Sequence, residues 1–349
     1  MERSKHTTPL SKQMKEKVNK TKEEKHEYDG DFGKVIGTGS TLLNLAISGG
    51  RIRGGGLPSG ILVEIFGPSG SGKTVLLSEI AGNVQREGGD VMFHDPEARL
   101  DKSFAKMFGL ELKEDNYKLP DRVPEVFSAV RKWQPENASV INGIFADSLA
   151  ALSTATEMDN DEGDKMGMRR AKEFSEELRK TCRILKQNNY LMVCSNQVRE
   201  NADARSFQKY NAPGGLAIGF YSSLRLRTNI MKRYKVERTF AGKAVERIIG
   251  VRTEVEVFKS SIWKPFQSAP VTIIYDYGID DLRENLQFIK DFSKMNVYSL
   301  DGQALDKSME KSIAIIEKDN LEEQLRNEVI ELWTEIESKF ESERKSKRQ

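Results

Sequence analysis

Residues 61–84 read Ile61-Leu62-Val63-Glu64-Ile65-Phe66-Gly67-Pro68-Ser69-Gly70-Ser71-Gly72-Lys73-Thr74-Val75-Leu76-Leu77-Ser78-Glu79-Ile80-Ala81-Gly82-Asn83-Val84. The stretch from Gly67 through Thr74 has the GxxxxGK[ST] spacing of a phosphate-binding loop. Its flanks agree. Ile61 to Phe66 is a mostly apolar run of strand length, and Leu76, Leu77, Ile80 and Val84 recur at helical spacing. In the order strand, glycine loop, helix, backbone N–H groups can curl around phosphate oxygens without Cβ clashes, and the helix N-terminus adds partial positive charge. Gly67, Pro68, Ser69, Gly70, Ser71 and Gly72 form this cradle. Lys73 is placed to reach the β- and γ-phosphates of a nucleotide, and the Thr74 hydroxyl to ligate Mg2+. The alternative is a glycine-rich turn that binds nothing, and the flanks argue against it.

Outward from this stretch, strand-like runs alternate with helical ones as far as about residue 229. Runs at 91–94, 140–146, 190–195 and 223–227 read as strands, and 103–108, 123–133, 168–187 and part of 214–222 read as helices. Strands apolar on both faces with helices between them predict an α/β fold, a mainly parallel β-sheet flanked by helices. Beyond 228 the segment 251–259 alternates at period two, and 271–275 is a further β run; both extend the sheet. From 282 onward the pattern is helical, with Ile313, Ile316, Leu321, Leu325, Val329, Ile330 and Trp333 at apolar positions. Three segments are expected: an N-terminal arm over 1–36, a nucleotide-binding core over 37–281, and a small C-terminal helical domain with a basic tail over 282–349.

Hydrophobic residues make up 38% of the 349 and charged residues 31%, enough for a core with a well-solvated surface. No apolar run approaches the roughly 20 residues that span a bilayer, so no membrane partner is expected. Cys182 and Cys194 are too few for a disulfide framework; they predict a reducing, cytoplasmic setting and read as packing residues. Three histidines and two cysteines at no ligand spacing argue against zinc. The net charge of +2 does not by itself mark a nucleic-acid binder. However, residues 1–27 hold eight Lys/Arg against five Asp/Glu, and the sequence closes on Arg344-Lys345-Ser346-Lys347-Arg348 before Gln349. Basic ends either meet phosphates or are solvated tails.

Hydrolysis needs more than a cradle. Asp147 ends the run Ile144-Phe145-Ala146 and is placed to hold Mg2+ through its water shell. Ser148 and Leu149 come next, so no glutamate adjoins it. The candidate base is Glu97, in Phe93-His94-Asp95-Pro96-Glu97-Ala98-Arg99-Leu100-Asp101. In a parallel sheet the end of that strand opens onto the ligand crevice, where a carboxylate can orient an attacking water. The plain alternative is an exposed loop residue. Asn196-Gln197 closes the fourth strand. Gln197 either contacts a γ-phosphate or simply begins a polar loop.

Together with Gly37-Thr38-Gly39-Ser40, Leu57-Pro58-Ser59-Gly60, Glu64-Ile65-Phe66-Gly67-Pro68, Asp147-Ser148-Leu149-Ala150-Ala151-Leu152, Asn196-Gln197-Val198-Arg199 and Gly214-Gly215, these pieces run in an order and spacing that resembles the RecA-type homologous recombinases over 37–278. The resemblance implies a RecA-like P-loop ATPase core. It implies Lys73 and Thr74 as phosphate-loop residues, Glu97 as the catalytic base, Asp147 as the Walker B acid and Gln197 as the γ-phosphate sensor. Asp101, Phe104 and Tyr275 fall where the family contacts adenine, although the family more often has Tyr at the position of Phe104.

Two DNA loops are also implied. The first, 157–170, contains Met166, matching a residue that wedges between bases, and Arg169 and Arg170, suited to phosphates. Its acidic start repels DNA, so only the C-terminal half is expected to bind. The second, 199–215, contains Arg199, Arg205, Phe207, Lys209, Tyr210, Gly214 and Gly215, and interleaved basic and aromatic residues suit a single strand. From the residues alone, both stretches also read as ordinary polar loops. On a late strand the family places two lysines, at i and i+2, against a neighbouring subunit's ATP. Lys259 matches the first. Ser261 occupies the second position and supplies no cation, which leaves Lys264 or a monovalent cation as substitutes.

The function that the resemblance implies is that of a DNA-dependent ATPase using ATP and Mg2+. Such a protein polymerises as a helical homo-oligomeric filament on single-stranded DNA and pairs it with homologous double-stranded DNA in recombination and repair. The poorly matching ends mark a divergent member, in keeping with a phage or mobile-element origin. Two other readings stay open on sequence: a RecA-fold ATPase that is not a recombinase (a helicase-type motor or a KaiC-like signalling ATPase), and a DNA-coating filament with feeble hydrolysis.

Overall fold

The computed structural model describes residues 33–153, 166–197, 199–200, 210–211 and 216–341. The N-terminal arm expected over 1–36 lies outside these residues up to position 32. The described residues belong to one compact unit. A short ladder of β1 (Val35–Ile36) and β2 (Leu57–Pro58) precedes the main sheet. Between them lies α1 (Thr41–Ser48), whose first turn is capped by the Ser40 hydroxyl accepting the Leu43 N–H.

The main sheet alternates with helices in the expected order. Its strands are β3 (Ile61–Gly67), β4 (Val91–His94), β5 (Tyr117–Lys118), β6 (Asn142–Ala146) and β7 (Tyr190–Gln197). The helices between them are α2 (Lys73–Arg86), α3 (Lys102–Met107), α4 (Val123–Lys132) and α5 (Met166–Gln187). A separate two-stranded ladder, β8 (Arg199–Glu200) with β9 (Tyr210–Asn211), follows β7. After α6 (Leu216–Tyr221) the chain re-enters the main sheet with β10 (Leu224–Phe240), β11 (Lys243–Ser260), β12 (Ser268–Ile274) and β13 (Gly278–Ile279). The spatial order of the nine strands is β13-β12-β11-β10-β3-β7-β6-β4-β5. Pairing is parallel from β10 through β5 and antiparallel from β10 through β13.

Alternation along the parallel strands sorts their side chains onto two faces. Val63, Ile65, Phe145, Leu191 and Val193 join one buried cluster with Leu76, Leu77, Ile80 and Val84 of α2. Leu62, Ile144, Met192 and Cys194 join the other, with Val126 and Phe127 of α4 and Phe174 and Leu178 of α5. Strands covered on both faces are what the near-continuous apolar runs require. Cys194 is fully buried, and burial pushes the Cys182 thiol up to about 11, so neither offers a ready thiolate. The C-terminal region forms α7 (Asp281–Phe292), α8 (Met309–Lys318) and α9 (Glu322–Ser338). Their Leu286, Ile289, Ile316, Leu325, Val329 and Ile330 belong to the same cluster as Val63 and Leu77. Among the described residues, no helix is long and apolar enough to cross a membrane.

One charged residue sits inside the central strand. Glu64 is buried in β3, pairs with the Arg225 guanidinium at 2.5 Å and accepts the Asn196 amide at 2.9 Å. Arg225 in turn lies 4.5 Å from the centroid of the Phe66 ring. Removing one partner of such a pair strands the other charge. Glu64→Ala is therefore expected to cost about 3–5 kcal/mol, read as a fall in denaturation midpoint, whereas Glu64→Leu combined with Arg225→Met costs much less. An undiminished midpoint for Glu64→Ala would show that the pair carries no such weight.

A second titratable group faces a cavity of about 450 Å3 between α1, α2 and α9, whose walls include Glu79, Asp281, Arg86 and Arg326. Burial pushes the Glu79 carboxyl up to about 7, with Arg86 opposing and Asp281 adding to the rise. The raised folded value means that stability present below about 4.5 is lost as pH rises through about 7. Glu79→Gln is expected to flatten that slope and to stabilise the protein by about 1–3 kcal/mol at pH 8, measured by denaturant titration at several pH values.

Beyond Thr228 the antiparallel pair β10–β11 continues well past the region where strands were expected. The ladder runs from Leu224↔Ser260 to Phe240↔Lys243. Ala241 and Gly242 turn it with φ of +49° and +76°, the two positive values that a tight hairpin turn needs. Its outer half is exposed on both faces, including Met231 and Phe240. Parallel pairing of Leu224–Arg227 with Val63–Phe66 sends this hairpin out past the end of the sheet at which β3 delivers Gly67–Thr74.

Candidate nucleotide site

The C-terminal ends of β3, β4, β6 and β7 lie side by side and deliver, in turn, the loop Gly67–Thr74, Asp95, Asp147 and Gln197. That is the edge at which parallel α/β sheets take ligands. A cavity of about 400 Å3 opens there. Its lining includes Ser69, Gly70, Gly72, Lys73 and Thr74 with Glu97, Asp147, Gln197, Phe104 and Tyr275. Gly67, Pro68 and Ser71 complete the loop behind the lining, where the Ser71 hydroxyl donates to the Pro68 carbonyl at 2.7 Å.

Local chemistry explains the shape of the loop. Gly70 and Gly72 have φ of +74° and +86°, values that side-chain-bearing residues rarely adopt. A Cβ on Gly72 would also lie 2.2 Å from Ile273 Cδ1. Gly72 is the N-cap of α2 and has no side chain to satisfy the first-turn N–H groups, which suits them to an anionic ligand. The Lys73 ammonium lies back over the loop, donating to the carbonyls of Gly67 at 3.1 Å and Pro68 at 2.8 Å. Burial lowers its pKa, and Asp147 and Glu97 oppose that shift. These are the surroundings of a cation prepared to receive an anion.

The carboxylates are held by hydroxyls. Thr74 Oγ1 donates to Asp147 Oδ2 at 2.6 Å, and Ser195 Oγ donates to Asp147 Oδ1. Burial raises the Asp147 pKa, and these two hydrogen bonds work against it. Thr74 and Asp147 thus present a hydroxyl and a carboxylate, the hard oxygen donors that Mg2+ takes. Glu97 accepts from Ser148 Oγ at 3.0 Å and Gln197 Nε2 at 3.5 Å, and pairs with Arg99 at 2.6 Å. Ser148 and Gln197 come from two different strand ends yet meet on one oxygen of Glu97. The cradle, the cation and the oxygen donors together fit a nucleoside triphosphate with its Mg2+.

Three residues important to this arrangement were not singled out from sequence. Asp95 is buried at the end of β4 and accepts the Leu100 N–H at 2.8 Å and the Tyr117 hydroxyl at 2.7 Å. It thereby closes the turn that carries Glu97. An acid after an apolar run, the pattern that marks Asp147, was present at Val91–His94 as well. Ser148 and Ser195 are ordinary serines in sequence, and only the packing of β6 between β4 and β7 gives them partners.

The three residues expected at adenine are placed differently. Asp101 does not line the cavity; its carboxylate caps α3, accepting N–H groups of Ser103 at 2.8 Å and Phe104 at 3.0 Å, and these bonds lower its pKa. Phe104 and Tyr275 do line it, with Phe104 set edge-on to Phe108 at 4.9 Å.

The family model for the RecA N-terminal domain matches residues 14–280. Protein RecA of Delftia acidovorans is 32% identical over 246 residues, which are 70% of this chain and 63% of that protein. Protein RecA of Colwellia psychrerythraea is 34% identical over 255 residues, 73% of this chain and 69% of that protein. The chain belongs to the RecA family. It is a divergent member, and its match spans a little under two thirds of the first of these relatives. Neither the family model nor these relatives favour a helicase-type or signalling ATPase.

In this RecA-family chain the two segments expected to meet DNA are only partly described. Residues 157–165 of the first lie outside the described residues. Met166, Arg169 and Arg170 fall on the first turns of α5, so this end of the segment is helix rather than loop. In the second, Arg199 pairs with Asn211 across the β8–β9 ladder, while Arg205, Phe207, Lys209, Gly214 and Gly215 lie outside the described residues. Lys259 is not in the cavity. Its ammonium donates to the carbonyls of Gly219 at 3.0 Å and Phe220 at 2.9 Å, at the end of α6. Lys264, the expected substitute for a cation at Ser261, pairs with Glu337 of α9 at 2.9 Å.

Proposed function

We propose that the protein is an ATP-dependent DNA recombinase. It binds ATP and Mg2+ in the cavity at the strand ends, assembles as a helical filament on single-stranded DNA, and pairs that strand with homologous duplex in the cytoplasm. The observation that carries the reading is the convergence of Lys73, Thr74, Glu97, Asp147 and Gln197 on one cavity in a RecA-family chain. Lys73 and the loop N–H groups would hold the phosphates, and Thr74 and Asp147 the metal, which when bound offsets phosphate charge. Glu97 would orient the water that attacks the γ-phosphate and take its proton. Gln197, touching Glu97 at the end of β7, would link the nucleotide to the 199–215 segment that follows, so that nucleotide state and DNA grip bias one another. Phe104 and Tyr275 supply aromatic faces for adenine. The roles of Met166, Arg169, Arg170, Arg199, Arg205, Phe207, Lys209, Gly214 and Gly215 on DNA, and of Lys259 across a subunit seam, are part of the same proposal. So is the division into an arm over 1–36, a core over 37–281 and a helical end over 282–349.

A D-loop assay tests the reading. Joint molecules between a single strand and homologous supercoiled duplex are expected with ATP or a slowly hydrolysed analogue, and not without nucleotide. Nucleotide-independent joint formation, or none under any condition, would contradict it.

A further inference from the structure

The charge balance of the cavity exposes a residue to which no role has yet been given. Its lining carries four carboxylates, Asp95, Glu97, Asp147 and Asp276, but only two cations, Lys73 and Arg99. Magnesium triphosphate brings about two further net negative charges, which one lysine does not balance against so acidic a wall. Lys259, proposed above to act across a subunit seam, and Lys264, paired with Glu337, do not line the cavity of their own subunit. Arg99 is differently placed. It follows Glu97 by two residues, just beyond a turn at Ala98 with φ of +51°. Its side chain is 76% exposed, and Nη1 contacts Glu97 Oε2 at 2.6 Å. The guanidinium is open to solvent, while the Glu97 side chain is only 16% exposed, so Arg99 can swing to another anion without leaving a buried position of its own. The planar guanidinium suits two-point contact with phosphate better than an ammonium does.

Resting on the ATPase reading above, we propose that Arg99 is the second cation for the triphosphate, supplied from the same subunit: it leaves Glu97 when the γ-phosphate is present and pairs with that phosphate instead. The exchange has two consequences. The γ-phosphate gains a charge-assisted contact that ADP cannot make, so Arg99 reports triphosphate against diphosphate. Glu97 Oε2 loses its guanidinium partner at the moment that oxygen is needed to accept a hydrogen bond from water. One side chain thus couples nucleotide recognition to release of the base.

Calorimetric titration of the full chain with ADP and with a slowly hydrolysed triphosphate analogue, both with Mg2+, tests this independently of turnover. Arg99→Ala is expected to weaken the analogue about tenfold or more while leaving ADP within about twofold, the size of one charge-assisted contact. Arg99→Lys should fall between Arg99→Ala and wild type. Hydrolysis by Arg99→Ala should drop by roughly 10²-fold or more, by comparison with arginines that touch transferring phosphates. An unchanged ratio of analogue to ADP affinity, or faster hydrolysis in Arg99→Ala, would overturn the inference and leave Arg99 as a surface partner that only masks Glu97. If wild type bound neither nucleotide, the ATPase reading itself would fall, and this inference with it.

Discussion

Lys73→Ala is expected to abolish nucleotide-dependent behaviour altogether. The Lys73 ammonium is one of two cations lining the cavity, and in the structure it satisfies itself on the carbonyls of Gly67 and Pro68. Both bonds end on uncharged carbonyls and give way to phosphate oxygens, whose full negative charge attracts the ammonium more strongly. Removing the ammonium takes away the cation that the loop itself supplies between the phosphates and Asp147 and Glu97. Affinity for magnesium triphosphate should fall by about 10²-fold or more, and hydrolysis by about 10³-fold, on the scale of losing a positioned electrostatic partner. The fold should survive: burial lowers the Lys73 pKa, so the folded protein pays to keep this charge, and alanine removes that cost. A melting midpoint equal to or above wild type, with no nucleotide-induced shift, is the expected signature. Retained nucleotide binding in Lys73→Ala would remove the loop from the account.

Glu97→Gln should separate binding from chemistry. Its carboxylate is held by Ser148 and Gln197, and the amide that replaces it fills the same space. Nucleotide affinity should change by less than about threefold. Hydrolysis should fall by about 10²–10⁴-fold, the usual contribution of a positioned general base. Because the triphosphate then persists, nucleotide-dependent complexes on DNA should become longer-lived rather than rarer. Measuring single-turnover hydrolysis beside DNA dissociation rates checks both halves. A variant that hydrolyses normally would return Glu97 to an ordinary loop residue.

The legible parts of this molecule were those in which one short segment contains its own explanation. Ile61–Val84 carries strand, turn and helix in sequence, and the glycines at 70 and 72 mark the positive φ values directly. Asp147 was legible because it ends a buried run. Asp95 obeyed the same pattern and was passed over, since its significance depends on Tyr117 of the edge strand β5. The outer hairpin, 229–250, was illegible for a different reason. Both of its faces meet solvent, so no alternation marks it, and the Ala241-Gly242 turn lacks the usual Asn-Gly or Asp-Gly sign. Asp101, which the resemblance places against adenine, caps α3 through Oδ1, a local role that its position before a helical run also allows. The commitment of Lys264 to Glu337 joins residues 73 apart in the chain and has no local signal.

The most direct test of the central claim is electron microscopy of the full chain with single-stranded DNA, Mg2+ and a slowly hydrolysed ATP analogue, beside the same mixture without nucleotide. The account predicts regular helical filaments in the first sample, their absence in the second, and their absence from Lys73→Ala in both. Dispersed particles in the presence of DNA and nucleotide, or filaments indifferent to nucleotide, would contradict it.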